Sequence, residues 1–421
     1  MRIALVVHKF PPSSMGGTEV YTRGLAQELS RRGHQVFVFY RCEGADITGE
    51  QQVWEEREGF RACRISRGFN AQIASAPSLF LDTFYSPTIE RAFGRFLDEV
   101  RPDLVHFQHV MWLSYRLLAL ARERGLPTLL TLHDYWFLCG NSQLIWPDAQ
   151  ICRGKALGWN CARCAMARVE SPLTRLLHPG IAAAFVVRDA LVRRAALHAD
   201  RLIAPARWLI REYVNAGFPA ERFTYLENGI DVERIRSYPR QPSLDGPLRF
   251  TYLGSLAWQK GVHILAEAFR GVPPEKAVLR VYGDPAVFPD YAASLHQVAD
   301  PANTSFEGAV PNEEVGRVLA NTDVAVVPSV WYENSPVAIQ EAFAAGVPVL
   351  ASRIGALPEK VRDGVDGWLC PAGDVTAWRE AVVSLAEHPE RVRQRLGSMP
   401  APLTLQEHTD LLQDMYKQVL V

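Results

Sequence analysis

Apolar runs rich in β-branched residues alternate with amphipathic stretches along almost the whole chain, and this rhythm restricts the folds open to it. Near the start, the pattern predicts a strand at 2–7, a helix at 18–32 and another strand at 35–40. Such alternation is typical of βαβ units, whose strands pair in parallel. A chain of 421 residues is also too long for one ordinary core. The sequence therefore predicts an α/β protein with more than one parallel-sheet domain.

A polar, proline-bearing stretch at 237–247 interrupts the alternation and predicts a linker. It separates a predicted N-terminal domain, 1–238, from a second domain, 248–400, and the tail at 403–421 is helical in pattern. The tail places Leu411, Leu412, Met415 and Leu420 near one face. Further strands are predicted at 104–108, 127–132, 201–204 and 223–227 in the first domain, and at 248–253, 277–282, 304–307, 323–327, 347–351 and 368–370 in the second.

Composition and charge favour a folded protein of the cytoplasm. Hydrophobic residues make up 48% and charged residues 22% of the chain, which excludes a disordered protein. The apolar run before His8 is too short for a signal peptide, and no run approaches a membrane span. Residues 1–238 carry 30 Lys and Arg against 24 Asp and Glu. This excess fits either a solvated surface or peripheral association with the anionic inner face of a membrane.

Two glutamates eight positions apart, Glu333 and Glu341, follow the apolar strand at 323–328 and flank the start of a helix. Ligands of open α/β sheets bind at the carboxyl ends of the strands. A helix amino terminus favours phosphate, and an acid further along can accept hydrogen bonds from hydroxyl groups. The pair therefore favours a nucleotide-linked sugar. A helix capped by Asn334 or Ser335, with two solvated acids, is the structural alternative.

Glycines and a lysine at two other strand ends are suited to phosphate. Gly16 and Gly17 stand between the first strand and a helix that Thr18 can cap, where backbone amides can approach a diphosphate closely. Lys260 lies between the strand at 248–253 and the next helix, where it can neutralise phosphate charge. A plain turn and a surface lysine are the alternatives.

His133 ends the apolar strand at 128–132 and is followed by Asp134. A histidine at a carboxyl strand end can donate a hydrogen bond to a sugar hydroxyl and can also titrate. We therefore expect it in a ligand site, and the alternative is a buried structural histidine bonded to Asp134.

Four cysteines fall within one short segment at 139–164. The pair Cys161 and Cys164 has the spacing that lets two thiolates bind one tetrahedral ion, and Cys139 and Cys152 would complete the set. A structural zinc site is predicted here. Free thiols, an iron–sulfur centre and disulfides are the alternatives, although the absence of an export signal argues against a disulfide framework.

Several sequence motifs, taken in their order along the chain, resemble those of the retaining glycosyltransferases of family 4. These enzymes have the GT-B fold, in which two Rossmann-like domains face a central cleft. The similarity covers nearly the whole chain. The motifs are the Gly16-Gly17 loop with Glu19, Arg101-Pro-Asp-Leu-Val-His106, His133, Asn228-Gly-Ile-Asp231, Leu253-Gly254 through Lys260-Gly261, Glu333 to Val349, and Asp363 to Asp374.

The resemblance implies a donor site in the second domain. There, Glu341 would hold the ribose hydroxyls, Glu333 would lie near the donor sugar and Lys260 would touch the diphosphate. The backbone amides around Pro336, Val337 and Ala338 would also contact the donor. From the first domain, Gly16 and Gly17 would close over the phosphates and His133 would face the transferred sugar, while the tail at 403–421 would pack back on that domain.

Ser255 departs from the family pattern, because many members have an arginine at this position. A hydroxyl can donate a hydrogen bond but supplies no charge. Either another basic residue such as Arg353 compensates, or the leaving group is less stabilised than in typical relatives.

The implied activity is transfer of a hexose from UDP-sugar or GDP-sugar to an acceptor hydroxyl with retention, in cell-surface polysaccharide or glycolipid assembly. No catalytic metal and no nucleic acid partner is implied, and the acceptor would be a glycan, a lipid-linked glycan or a small molecule. A GT-B sugar-nucleotide epimerase, a phosphorylase-like enzyme and a non-catalytic sugar-nucleotide binding module are the competing readings.

Overall fold

The protein forms two compact units in a computed structural model that describes residues 1–14, 16–44, 50–68, 80–168, 177–241, 246–395 and 398–420. One unit consists of Met1–Glu227 and Leu405–Val421, and the other of Asn228–Thr404. Each contains one largely parallel sheet with helices, so the predicted α/β fold with two parallel-sheet domains is confirmed. None of the helices within the described ranges is long and apolar enough to cross a membrane.

An eight-stranded sheet forms the centre of the first unit, in the order β3-β4-β2-β1-β5-β6-β7-β8. Only β3 is antiparallel to its neighbour, β4. The strands are β1 Arg2–Val6, β2 Gln35–Gly44, β3 Glu50–Glu56, β4 Arg61–Gly68, β5 Leu104–Phe107, β6 Thr128–Thr131, β7 Arg201–Ala204 and β8 Phe223–Tyr225. The helices between them are α1 Gly17–Arg31, α2 Pro87–Val100, α3 Leu117–Glu123, α4 Trp159–Met166, α5 His178–Ala196 and α6 Arg207–Asn215.

Six parallel strands form the sheet of the second unit, in the order β11-β10-β9-β12-β13-β14. The strands are β9 Leu248–Leu253, β10 Ala277–Tyr282, β11 Thr304–Gly308, β12 Val324–Val327, β13 Val349–Ser352 and β14 Gly367–Cys370. The helices are α7 Val232–Arg236, α8 Val262–Phe269, α9 Pro289–Val298, α10 Val315–Ala320, α11 Val337–Ala344, α12 Leu357–Lys360, α13 Val375–Glu387 and α14 Glu390–Arg393. Every residue of β12 and β13 is buried, as expected of strands covered on both faces.

The order of the strands reverses once in each sheet. In the first unit the reversal lies between β1 and β5, and in the second it lies between β9 and β12. Connections leave such neighbouring strands in opposite directions, and the crevice between them is where open α/β sheets bind ligands. The loops that follow β9 and β12 are therefore the expected ligand loops of the second unit.

The boundary between the units falls earlier than the predicted linker. Residues 228–238, expected in the first domain, belong to the second unit because Ile230, Val232 and Ile235 are buried in its core. The chain stays attached beyond them, since the Gln241 amide donates to the Ala320 carbonyl at 2.7 Å. Residues 242–245 of the predicted linker lie outside the described residues.

The C-terminal helix, α15 Leu405–Leu420, belongs to the first unit. Two buried hydrogen bonds attach it: Tyr21 Oη lies 2.6 Å from His408 Nε2, and Tyr416 Oη lies 2.7 Å from His106 Nδ1. Leu412 is buried, but Leu411 and Leu420, predicted on the same face, are exposed. Polar groups and not the apolar stripe alone therefore decide which face of this helix is inside.

Replacing Tyr416 with Phe tests the contribution of this attachment. The change leaves Nδ1 of the fully buried His106 without its partner, which should lower the free energy of unfolding by about 1–3 kcal/mol. Urea denaturation followed by circular dichroism measures this difference. The exposed Gln418→Ala variant on the same helix should match the wild type. An unchanged midpoint for Tyr416→Phe would show that the bond contributes nothing.

Candidate active site

Glu333 lies in the loop after β12 and is buried, with one carboxylate oxygen held by three donors. Its Oε1 accepts hydrogen bonds from Lys260 Nζ at 2.7 Å, Ser329 Oγ at 2.6 Å and Trp331 Nε1 at 3.0 Å. Burial opposes ionisation, but the ion pair with Lys260 and the hydrogen bonds outweigh it and lower the pKa of Glu333. Within the described residues Oε2 accepts no hydrogen bond. Glu333 is therefore a fixed, ionised carboxylate with one oxygen available to a ligand.

The backbone at Gly261 brings Lys260 to Glu333. Gly261 has a φ of 73°, and a Cβ atom there would lie 1.9 Å from the Pro328 carbonyl oxygen at the end of β12. Only glycine allows both this left-handed conformation and this close approach. The Lys260 ammonium also lies 5.5 Å from the centre of the Trp331 ring. Two residues predicted at the diphosphate and at the sugar therefore form one ion pair at the strand-order reversal.

Glu341 is buried on α11 and paired with a residue that sequence reasoning missed. Its Oε1 lies 2.6 Å from Arg234 Nη2 of α7. Burial raises the pKa of the Glu341 carboxyl, and the Arg234 guanidinium offsets part of this effect. Asp231 positions α7 by accepting a hydrogen bond from the Arg234 amide. Arg234 lies three residues after the Asn228-to-Asp231 motif, so this motif is the feature of the sequence that could have indicated it.

The amino terminus of α11 has no side-chain cap. The helix begins at Val337 after Pro336, and neither Asn334 nor Ser335 caps it, which corrects the structural alternative considered above. The Ser335 hydroxyl is buried and makes no hydrogen bond to any described residue. The amides of a first helical turn have no intrahelical partner and form a positive pole. Pro336, Val337 and Ala338 thus open a helix whose first turn suits an anion.

Ser255 is exposed directly after β9, and its carbonyl accepts a hydrogen bond from the Tyr252 hydroxyl at 2.8 Å. Arg353, the suggested compensating cation, follows β13. Its Nη2 pairs with Asp363 Oδ2 at 2.6 Å, whereas the carboxylate that pairs with Lys260 is Glu333. Lys260 is therefore the cation that the structure places beside Glu333.

In the first unit, α1 begins at Gly17 and Gly16 precedes it without any side-chain cap, so Thr18 lies inside the helix and does not cap it. Glu19 lies under this loop. A Cβ atom on Gly16 would be 2.4 Å from Glu19 Oε2, while Glu19 Oε1 accepts a hydrogen bond from Ser14 Oγ at 2.9 Å. A side chain at position 16 would therefore require the Glu19 carboxylate to shift.

Histidines gather at the carboxyl ends of β1, β5 and β6. His133 Nε2 lies 2.9 Å from Gln108 Oε1, and burial, with a smaller contribution from His109, lowers the pKa of His133 to about 3. His109 Nε2 lies 2.9 Å from Asp134 Oδ2, and its ring centre is 4.3 Å from that of His8. His133 is therefore neutral near pH 7. Gln108 and His109 were missed, although both polar residues directly follow the strand β5.

The four cysteines predicted to bind zinc are free thiols, and the arrangement does not support the prediction. Among the described residues, no group of three or more His, Cys, Asp and Glu side chains could hold a metal ion. Cys139 Sγ donates to Asn141 Oδ1, and Cys164 Sγ contacts Arg168 Nη1 at 2.6 Å. Burial raises the pKa of Cys161 to about 12. Cys139 and Cys164 thus contact separate partners.

Two family models match the chain. The model of Glycosyltransferase Family 4 covers residues 15–234, and the model described as Glycosyl transferases group 1 covers residues 247–388. The fold and these matches define a glycosyltransferase with the GT-B fold. The chain belongs to Glycosyltransferase Family 4.

Curated and solved relatives agree with this assignment. Glycogen synthase of Mycobacterium tuberculosis is 28% identical over 416 residues, covering 96% of this chain and 90% of the relative. The structure of sucrose-phosphate synthase from Thermosynechococcus elongatus gives a TM-score of 0.69 at 18% identity, covering 99% of this chain and 98% of that one. Anabaena HepE in complex with UDP-glucose gives 0.66 at 18% identity, covering 99% of both chains.

Replacing Glu333 with Gln should destabilise the second unit in a pH-dependent way. Lys260 would lose its counter-charge, and we expect a loss of about 1–3 kcal/mol at pH 7. The folded-state pKa of Glu333 is lowered, so its stabilisation is present above the unfolded-state pKa of about 4.3 and is lost as pH falls through the folded-state value.

Urea denaturation of both proteins at pH 7 and in acid measures this. The difference between them should shrink in acid, and the exposed Glu380→Gln variant should show no difference at either pH. A difference that grows as pH falls would contradict the ionised state of Glu333.

Proposed function

We propose that this glycosyltransferase moves a hexose from UDP-sugar or GDP-sugar to an acceptor hydroxyl with retention of anomeric configuration. One observation carries the proposal: the Lys260–Glu333 pair lies where the strand order reverses, beside β12 and the uncapped start of α11. A cation and a helix amino terminus suit a diphosphate, while a carboxylate with a spare oxygen suits a sugar hydroxyl.

The donor is proposed to lie along α11. Its diphosphate would meet the amides of Val337 and Ala338, and the buried Ser335 hydroxyl would gain a partner there. Glu341 lies five residues after Pro336, or about 7.5 Å along the helix axis, a separation that suits the distance from diphosphate to ribose. Glu341 would accept hydrogen bonds from the ribose hydroxyls while Arg234 holds its other side.

Stabilisation of the departing diphosphate is the main task of this site. The Lys260 ammonium and the amides at the start of α11 supply fixed positive potential where negative charge develops. Glu333 Oε2 would orient the transferred sugar. The departing phosphate oxygen would take the acceptor proton on the same face, which gives retention without a strong protein base.

Two contributions are proposed from the first unit. Gly16 and Gly17 precede a helix without a side-chain cap and would add amide donors to the phosphates. His133, neutral near pH 7, donates its Nε2 proton to Gln108 Oε1, so it would face the transferred sugar and accept a hydrogen bond from a sugar hydroxyl at Nδ1. No step of this scheme calls for a catalytic metal.

The relatives support the choice of donor and acceptor classes. The Anabaena structure holds UDP-glucose, which favours a uridine donor, and the mycobacterial relative is a glycogen synthase. We therefore propose a glycan or lipid-linked glycan acceptor and a role in polysaccharide or glycolipid assembly, on the cytoplasmic side of a membrane to which the protein binds peripherally. The alternative of a non-catalytic binding module rests on Ser255, which stands where many family members have an arginine. The epimerase alternative requires that an altered sugar nucleotide form in the absence of an acceptor.

Replacing Glu341 with Gln should weaken UDP binding roughly 10- to 100-fold, because a charge-assisted hydrogen bond to the ribose contributes on the order of 1.5–3 kcal/mol. Isothermal titration calorimetry with UDP and GDP measures the change and identifies the preferred base. The Glu380→Gln variant, an exposed acid of the same unit, is the control. Equal UDP affinities of Glu341→Gln, Glu380→Gln and the wild type would show that Glu341 does not contact the donor.

Replacing Lys260 with Met should lower kcat by roughly 100- to 1,000-fold, since a fixed electrostatic contact to the leaving group is lost. Release of UDP from UDP-sugar on addition of acceptor measures turnover, and NMR of the product gives the anomeric configuration. A product of inverted configuration would contradict the mechanism. If the wild-type protein binds UDP tightly but shows no turnover with any glycan acceptor, the result would favour the non-catalytic binding module.

A further inference from the structure

Two side chains that the sequence did not single out, Ser329 and Trp331, bind the carboxylate of Glu333. Ser329 Oγ donates to Glu333 Oε1 at 2.6 Å, and Trp331 Nε1 donates to the same oxygen at 3.0 Å. Ser329 is 1% exposed and Glu333 is 5% exposed. Neither donor carries a charge, and we call Ser329 and Trp331 the neutral pair. They bind the carboxylate independently of its third partner, Lys260.

The backbone of Glu333 is held as well as its carboxylate. Its amide donates to the Trp331 carbonyl at 3.0 Å, which closes a three-residue turn and keeps the indole beside the carboxylate. The Ala356 amide donates to the Glu333 carbonyl at 2.9 Å. Gly355 has a φ of 58°, and a Cβ atom there would lie 2.9 Å from the Glu333 amide nitrogen and carbonyl oxygen. The main chain and Oε1 are therefore both fixed, which leaves Oε2 for a ligand.

Lys260 differs from the neutral pair, because its side chain is 27% exposed and its ammonium has three N–H groups. It also lies 5.5 Å from the centre of the Trp331 ring, where a cation is stabilised even when it turns away from a carboxylate. A diphosphate at the start of α11 would compete with Glu333 for this ammonium. Glu333 would then stay buried with less counter-charge, so other donors must keep it ionised.

Two titratable side chains, Lys260 and Tyr252, act on the carboxylate. Burial raises the pKa of Glu333, but the charge of Lys260 and the hydrogen bonds from the neutral pair outweigh burial, so the pKa is lowered. Burial, and then the charge of Glu333, raise the pKa of Tyr252 well above its usual value. Tyr252 is therefore neutral, and its hydroxyl donates to a backbone carbonyl at 2.8 Å. When Lys260 is shared with a ligand, the neutral pair is the remaining support of the ionised carboxylate.

We propose that the neutral pair positions Glu333: it holds Oε1 so that Oε2 alone meets the transferred sugar, and it keeps this hold when the donor diphosphate draws Lys260 away. The inference rests on the proposed function for the presence of a sugar and a diphosphate. It assigns the charge of Lys260 to the leaving group and the orientation of the sugar to two neutral side chains. Loss of the neutral pair should therefore affect turnover and not the binding of a nucleotide that lacks a sugar.

The first test follows the ionisation of Glu333 without any donor sugar. Carbon-13 NMR of protein labelled at the glutamate side-chain carboxyl records the titration, and the signal that Glu333→Gln removes identifies this residue. In the double variant Ser329→Ala, Trp331→Phe, the Glu333 signal should titrate at higher pH than in the wild type, because two donors to the carboxylate are lost. The difference should grow when UDP is bound, because Lys260 is then shared with the diphosphate.

A matched double variant, Ser352→Ala, Trp368→Phe, controls for disturbed packing. Both side chains are buried in the same unit, and neither Ser352 Oγ nor Trp368 Nε1 makes a hydrogen bond to any described residue. The same atoms are removed, so the Glu333 signal should titrate as in the wild type. Circular dichroism of both double variants checks that they are folded.

The second test compares turnover with nucleotide affinity. Ser329→Ala and Trp331→Phe should each lower kcat with UDP-glucose roughly 10- to 100-fold, the loss expected for one hydrogen bond to a charged group. Affinity for UDP should stay within about twofold of the wild type, because UDP carries no sugar for Glu333 to orient. Ser329→Thr restores the hydroxyl and should recover turnover, and the control variant should keep the wild-type kcat.

Four results would overturn the proposal. The Glu333 signal might titrate at the wild-type pH without the neutral pair, or the control variant might shift it equally. The kcat of the single variants might be unchanged, or UDP affinity might fall as steeply as kcat, which would reduce the neutral pair to general support of the nucleotide site. If UDP-glucose gives no turnover with the wild type, the proposed transfer from this donor fails, and the NMR titration still decides whether the neutral pair holds Glu333.

Discussion

The ion pair between Lys260 and Glu333 is the contact on which the candidate site depends. Gly261 makes it possible, because the loop after β9 can reach the end of β12 only where a side chain is absent. The pair places opposite charges at the reversal of strand order and holds a carboxylate ionised despite its burial. Cation, carboxylate and helix terminus are therefore positioned by the backbone before any ligand arrives, which is the preorganisation that electrostatic catalysis requires.

A second ion pair organises the other end of α11. Arg234 on the short helix α7 holds one oxygen of Glu341, and the burial of Ile230 and Ile235 fixes α7 to the second unit. This is why the unit begins at Asn228 and not at the proline-bearing stretch further on. The domain boundary and the geometry of the acid predicted at the ribose thus have one physical origin.

The strands that the apolar pattern predicted lie within about two residues of their predicted positions, because buried parallel strands need continuous apolar runs, except that β2 continues to Gly44, beyond its predicted end at residue 40. The pattern missed β3 and β4, since β3 is a polar edge strand with little apolar signal. It also missed Arg234 and His109, whose partners are distant in sequence. The cysteine spacing predicted zinc, but spacing does not determine where sulfurs point, and among the described residues no group of three or more His, Cys, Asp and Glu side chains could hold a metal ion.

The sequence by itself determined the α/β class and the family, and it predicted which residues would meet a sugar nucleotide, because periodicity and residue chemistry are local properties. Only the tertiary structure decided which of them meet: Lys260 with Glu333 and Arg234 with Glu341. It also decided that α11 begins without a cap and that the domain boundary precedes the linker. These features depend on long-range packing and burial, and no single segment of a chain encodes contacts with residues far away in sequence.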